Sequence, residues 1–381
     1  MTPILIIGTG LAGYTVAREY RKLNKEAPLQ LITVDDGCFY SKPMLSNALH
    51  SHKTPDNLAM HTTQHMAEQL NARIHTHVTV DTIDTAAHTL SYNGNTVAYS
   101  KLVLALGADP IRIPLEGDAA NTVLSINDLA DYARFRAAAP LGARILIMGA
   151  GLIGCEFAND LRSAGYTVHV VDPAQAPLGR LLPPMAAVAL RAALAALGVH
   201  WHFGTTVQAL HHGPNGYSAV LSDGSTMEAD VVLSAIGLRP RTALAVENDI
   251  NIHRGIVTDK YLKTSMDDVY ALGDCAEVEG LVLPFVMPIM HAARALARTL
   301  NAEPTAVTYP PMPVVVKTPA LPVVIAPPSL NAAGVWQETV HGPDVRAVFI
   351  GPDQTLLGYA LTGTATAEKN ALAKQLPPVL P

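Results

Sequence analysis

The sequence predicts an α/β protein in which two strand–turn–helix–strand units precede a smaller mixed α+β segment. Three observations predict it: a glycine-rich turn after an apolar run at residue 8, the same pattern again at residue 149, and a proline-rich stretch with short β-like runs after residue 310. A chain of 381 residues has room for two or three domains at roughly 150 residues each.

The elements follow in order. Residues 4–7 (Ile-Leu-Ile-Ile) are a short continuous apolar run, as expected of a strand buried on both faces. Gly8-Thr9-Gly10-Leu11-Ala12-Gly13 is the turn, and residues 14–24 read as a helix with Arg18, Arg21 and Lys22 on its polar side. Residues 29–34 are the next strand, ending at Asp35-Asp36. Residues 101–107 form a buried strand closing on Gly107. The pattern then returns. Residues 144–148 are a strand, Gly149-Ala150-Gly151-Leu152-Ile153-Gly154 is the turn, residues 155–164 are a helix broken by Gly165, and residues 166–171 are a strand ending at Asp172. Residues 230–237 repeat the closing strand and end on Gly237. A third such run, Tyr270-Ala271-Leu272-Gly273-Asp274, precedes a helix at 287–300 with Pro288 suited to its first turn. Strands are expected at 345–350 and 356–361.

Composition excludes several classes. With 49% hydrophobic and 15% charged residues the chain is not disordered. A net charge of −6 leaves no global basic footprint for nucleic acid or an anionic membrane. The most apolar helical stretch, 184–199, is interrupted by Arg191, so no run of about 18 apolar residues exists to span a bilayer. The first residues lack a charged segment ahead of an apolar one, so no signal peptide is expected. Three cysteines cannot build a disulfide framework and fit a reducing compartment. The expectation is a cytoplasmic protein without membrane insertion; its oligomeric state is not legible.

In each turn the first glycine permits the tight bend, the second lets the backbone approach a pyrophosphate, and the third lets helix pack on strand. The helix start then offers free N–H groups to the phosphates. An acid that accepts from a ribose hydroxyl belongs about 20 residues on. Asp35 lies 22 residues after Gly13, and Asp172 lies 18 after Gly154. Two such units imply two dinucleotides: a tightly held redox cofactor and a diffusible hydride carrier.

These motifs, with the closing strands and the Tyr270–Asp274 run, make the whole chain resemble the FAD-dependent pyridine nucleotide-disulfide oxidoreductase superfamily. The resemblance implies two Rossmann-like dinucleotide-binding domains in a glutathione-reductase-like arrangement plus a small mixed α+β C-terminal domain. It assigns residues 1–110 and 241–310 to FAD, 111–240 to NADH, and 311–381 to the C-terminal domain. It places Asp274 on the ribityl chain of the flavin, and it implies further cofactor contacts from Val34, Val80, Gly107, Gly237 and Val286.

The branch follows from what is missing and what stands in its place. A Cys-x-x-x-x-Cys pair starting at Cys38 would need a partner at 43, which is Pro43, so no dithiol relay is expected. Cys155 and Cys275 read as small core residues. No Cys-x-x-Cys occurs. His61 and His65 have the i, i+4 spacing of a helical metal pair but lie in polar sequence, so they read as solvated and no metal site is expected. Tyr40-Ser41-Lys42-Pro43-Met44-Leu45-Ser46 instead resembles the flavin-side segment of rubredoxin and ferredoxin reductases. That resemblance implies an ion pair between Lys42 and Glu156 beside the flavin N5, and an approach to the flavin by Lys317, which follows the run Val314-Val315-Val316. Asp172, with no arginine pair immediately after it, favours NADH over NADPH.

The tail is similar to that of rubredoxin reductases. Rubredoxin is therefore the expected electron acceptor, with alkane hydroxylation as the implied context. The alternatives are a ferredoxin reductase of an oxygenase system, an NADH oxidase, or a flavin-dependent redox sensor or scaffold.

Overall fold

Residues 2–381 are described by the computed structural model. The first five-stranded sheet is parallel throughout, in the order Val269–Ala271, Lys101–Leu104, Ile4–Ile7, Leu29–Ile32, Arg73–His75. The second is also parallel, in the order Leu124–Ser125, Val231–Ser234, Arg144–Met148, Thr167–Asp172, Val199–Phe203. In both sheets the strand before the glycine turn is central. That position explains its unbroken apolar sequence, because helices or loops cover both faces of a parallel sheet.

The chain passes between the two sheets through an antiparallel ribbon of Ala108–Pro110 against Leu238–Pro240. Arg241 ties the ribbon together, bonding Asp109 at 2.7 Å and the Leu106 carbonyl at 3.1 Å. The C-terminal sheet is antiparallel, in the order Val314–Val316, Val323–Ala326, Leu356–Thr362, Asp344–Ile350, Val335–His341.

Five helices bear on the site: α1 (Leu11–Leu23), α2 (Leu129–Ala138), α3 (Leu152–Ser163), α4 (Pro184–Leu197) and α5 (Val286–Leu300). α1 and α3 begin three residues earlier than the sequence suggested, directly after Gly10 and Gly151. The third glycine of each turn thus lies inside the first helical turn. Two strands of the C-terminal sheet fall within the proline-rich stretch, because Pro313, Pro319 and Pro322 sit beside the strands and cost no ladder bonds. The edge strand Val335–His341 has little apolar alternation and was not expected. His61 ends a short strand and His65 lies in the helix Thr63–Leu70, their rings stacked 4.5 Å apart, so the pair does not share a helix.

The apolar core shows how the pieces join. One buried cluster unites α3 and one face of the second sheet with Leu45 and Ala48, and with Val316, Val323, Ile325, Val345, Ala347 and Ala360 of the C-terminal sheet. α4 lies between the second sheet and the C-terminal one, and Glu338 of that sheet accepts the backbone N–H groups of Met185 and Ala186 at its first turn. A carboxylate there also complements the helix dipole. Among the described residues no helix is long and apolar enough to cross a membrane.

A polar clamp reinforces this junction. Asp160 of α3 is buried and accepts the backbone N–H groups of Leu49 and His50 at 3.0 and 2.7 Å. Burial pushes its pKa above the usual carboxylate range, and the two N–H bonds work against that push. Asp160→Ala leaves both N–H groups without an acceptor and is expected to cost about 2 kcal/mol. A fall in the urea midpoint measures it; an unchanged midpoint contradicts the clamp.

Candidate functional site

Each glycine turn forms an open cradle. A Cβ at Gly13 would lie 1.9 Å from the Gly8 carbonyl oxygen, and one at Gly154 would lie 1.9 Å from that of Gly149. Only glycine permits that approach of helix to turn. The middle glycines differ: a Cβ at Gly10 or Gly151 would meet nothing within 4 Å. Both are N-cap residues, neither helix has a side-chain cap, and neither has an acid in its first turn. The helix starts therefore present N–H groups and a partial positive charge to open space. An uncapped, acid-free helix start beside a bare backbone fits the pyrophosphate of a dinucleotide, once for FAD and once for NADH.

The acids expected beside the riboses lie at these cradles, but they are engaged differently. Asp35 uses one oxygen for three bonds: Oδ1 accepts from Thr9 Oγ1 (3.2 Å), Thr33 Oγ1 (2.6 Å) and Gly37 N (2.9 Å). Oδ2 is left for a ligand hydroxyl. Asp172 uses both: Oδ2 accepts from Ala150 N at 2.6 Å and Oδ1 from Ala174 N at 2.7 Å. It thus braces the second glycine turn, and one acceptor position on each oxygen remains for a ribose.

The other expected contacts fall around the first cradle and the ribbon. Thr9 is buried against Asp35, while Leu11 and Ala12 open α1. Val34 is exposed two residues beyond the strand Leu29–Ile32, which ends earlier than its apolar run. The Val80 side chain is buried in the first core, and its backbone amide and carbonyl form no hydrogen bond with the described residues. Gly107 and Gly237 accept the backbone N–H groups of Arg241 and Ile111 at the two ends of the ribbon. Val286 is the first residue of α5 and is exposed. Asp274 forms no side-chain hydrogen bond with the described residues; burial raises its pKa and nearby Lys42 lowers it. A desolvated carboxylate without a donor suits a cofactor hydroxyl.

The expected Lys42–Glu156 ion pair is not formed. Glu156, the fifth residue of α3 and just beyond its first turn, pairs with Lys317 Nζ and also accepts the Lys317 backbone N–H at 2.9 Å. Ser46 completes the group, donating to Glu156 Oε2 at 2.5 Å and accepting from Lys317 Nζ at 3.0 Å. Lys42 instead donates to Asn127 Oδ1 at 2.6 Å. The reason is helical pitch. Residues Lys42–Asn47 form a 3₁₀ helix. With three residues per turn, Lys42 and Ser46 point about 120° apart. α3 packs on the Ser46 side, so Glu156 meets Ser46 and leaves Lys42 to Asn127. Ser46 lies in the quoted flavin-side segment and Asn127 just before an Asp-x-x-Asp cap, but neither signal names a partner from sequence.

The thiols are chemically quiet. Burial raises the pKa of Cys38, Cys155 and Cys275, that of Cys275 to about 11. All three are free. None is held as the thiolate that a reactive cysteine requires.

Two open glycine cradles on parallel sheets, each with an acid beside it, define a two-dinucleotide oxidoreductase. The chain belongs to the pyridine nucleotide-disulphide oxidoreductase family, whose model matches residues 2–299. A rubredoxin binding C-terminal domain model matches residues 306–376. A rubredoxin-NAD(+) reductase of Alcanivorax borkumensis is 52% identical over all of both chains. One of Acinetobacter baylyi is 44% identical over all of this chain and 99% of its own. The reductase of a covalent putidaredoxin reductase–putidaredoxin complex shares the fold at a TM-score of 0.88 and 23% identity, covering 99% of this chain and 94% of that one. An NADH:rubredoxin oxidoreductase of Clostridium acetobutylicum does so at 0.81 and 19%, covering 98% and 94%.

The cradle geometry separates two glycine substitutions. Gly151→Ala is expected to leave stability within about 0.5 kcal/mol, since its Cβ meets only open space. It should raise the Michaelis constant for NADH about tenfold or more, equivalent to about 1.4 kcal/mol of lost binding. Gly154→Ala should instead destabilise the fold by about 1–3 kcal/mol. Equal effects of the two on NADH and on unfolding would contradict this division.

Proposed function

We propose that this chain is an FAD-dependent NADH:rubredoxin reductase. One observation carries the reading. Lys317, which lies within the segment matched by the rubredoxin binding model, enters the ion pair with Glu156 on the helix that opens the second cradle. The acceptor-side segment and the nucleotide-side helix thus share one charged contact. The relatives from Alcanivorax borkumensis and Acinetobacter baylyi support it by name and by full-length similarity.

On this reading residues 1–110 and 241–310 hold FAD, 111–240 bind NADH, and 311–381 face the acceptor. When bound, FAD supplies the exchange between a two-electron hydride from NADH and the single electrons that rubredoxin iron accepts. The chain's own groups hold, orient and polarise. The N-termini of α1 and α3 take the two pyrophosphates, and Asp35 and Asp172 accept from the riboses. Asp274 orients the ribityl chain. Lys42 and Lys317 place positive charge where negative charge develops, and the exposed start of α5 adds a partial charge of the same sign. Glu156 and Ser46 hold the half-buried Lys317 ammonium in place.

A cytoplasmic location belongs to the proposal, supported by three unpaired thiols. So does an alkane-hydroxylating monooxygenase as consumer of the reduced rubredoxin.

Steady-state NADH oxidation with rubredoxin, ferredoxin, thioredoxin and oxygen offered in turn tests the reading. Rubredoxin should support the highest kcat/KM; a higher value with ferredoxin or oxygen would overturn it. The lysines give a second test. A unit charge about 4 Å away is worth on the order of 4 kcal/mol at an effective dielectric near 20, before compensation. For a two-electron couple about 1.4 kcal/mol corresponds to 30 mV. Lys42→Met and Lys317→Met should each lower the flavin midpoint by tens of millivolts. Lys42→Met should have the larger effect, because Glu156 already offsets Lys317. Redox titration showing both midpoints unchanged would place these lysines away from the flavin.

A further inference from the structure

Lys42 has a single side-chain acceptor among the described residues, Asn127 Oδ1 at 2.6 Å. Asn127 is buried, and neither glycine turn nor the Glu156 group uses it. Its amide has one workable orientation. Nδ2 donates to the Ala108 carbonyl at 2.9 Å, and a carbonyl can only accept. The ammonium can only donate. Turning the amide over would set donor against donor and acceptor against acceptor, so the two neighbours together fix Oδ1 on the lysine.

The backbone of Asn127 is fixed too. Its N–H donates to Asp131 Oδ2 at 2.9 Å, and Asp128 and Asp131 form a capping box at the start of α2. Ala108 belongs to the crossover ribbon. Asn127 therefore joins the Lys42 segment, the ribbon and the start of α2 at one point.

Asp274, Arg241, Asp128 and Asp131 are close enough to Lys42 to act on its charge. Burial lowers its pKa below the ordinary lysine range and Arg241 acts in the same direction, while the three carboxylates oppose both. None of those carboxylates hydrogen-bonds the ammonium. Burial thus works against the Lys42 charge, and Asn127 Oδ1 is the one side-chain acceptor among the described residues that touches the ammonium directly.

We propose that Asn127 is the positioning residue of the Lys42 ammonium, holding it charged beside the bound flavin, and that it influences the flavin only through Lys42. The inference rests on the reading of Lys42 as a flavin-side cation.

A double-mutant cycle in flavin midpoint potential tests it, using the FAD-loaded native protein, Asn127→Ala, Lys42→Met and the double variant. Asn127→Ala should lower the equilibrium constant for flavin reduction about tenfold, which converts to about 30 mV. The lysine charge is present below its pKa and lost above it. Without its acceptor Lys42 should lose its proton at lower pH, so the midpoint of Asn127→Ala should start its extra fall at lower pH than that of the native protein. In the Lys42→Met background Asn127→Ala should change nothing beyond error. A shift of equal size in both backgrounds would mean that Asn127 acts through packing, and would overturn the proposal. A midpoint unmoved by Lys42→Met overturns the underlying reading of Lys42, whereas a shift there with none in Asn127→Ala overturns the role of Asn127 alone. Should Asn127→Ala not fold, Asn127→Asp keeps an acceptor and adds negative charge. It should move the pH break upward, and a break that stays in place or moves down overturns the proposal.

Discussion

Three side chains on one face of α3, Glu156, Asn159 and Asp160, are almost fully buried, at 4%, 1% and 2% exposure. Polar groups buried to that degree need partners. They find them in two distant stretches of chain: Glu156 in both, through Ser46 and Lys317, Asn159 in the Ala320 backbone N–H at 3.0 Å, and Asp160 in the N–H groups of Leu49 and His50. The spacing i, i+3, i+4 makes this possible, since those positions share a helix face. A segment from the first unit and one from the C-terminal sheet are thereby held on a helix of the second unit. The remaining architecture of the site depends on this requirement for satisfied polar groups more than on any single apolar contact.

The apolar core points the same way. The cluster under α3 contains side chains of all three parts of the chain, so neither the Lys42 segment nor the Lys317 strand has an independent position. Lys42 and Lys317 are both supplied from outside the second unit and both held by residues of it, Asn127 at the start of α2 and Glu156 at the start of α3. One of those two helices, α3, also begins at the second glycine cradle.

The two glycine cradles resemble each other in backbone and differ in their acids. Asp35 gathers three donors on one oxygen and keeps the other open, whereas Asp172 spends a bond from each oxygen on its own loop. A cofactor retained through turnover is well served by an open carboxylate oxygen. On the proposed assignment the second cradle releases its ligand in every cycle, and there the acid also braces the glycine turn.

The sequence by itself determined the elements whose signal is local. Apolar runs mark strands buried on two faces, glycine spacing marks the cradles, and an acid about 20 residues on marks the end of the second strand. These follow from backbone sterics and periodicity within about 35 residues. The partners of Glu156, Lys42 and Lys317 did not follow, because they lie 85 to 271 residues apart in sequence. Their pairing turns on which side of a 3₁₀ helix packs against α3. Residues such as Ser46, Asn127 and Asp160 carry no local signature, since a polar side chain reads the same in solvent and in a core. Only tertiary packing removed their water, and the need to replace those lost hydrogen bonds decided which partners they took.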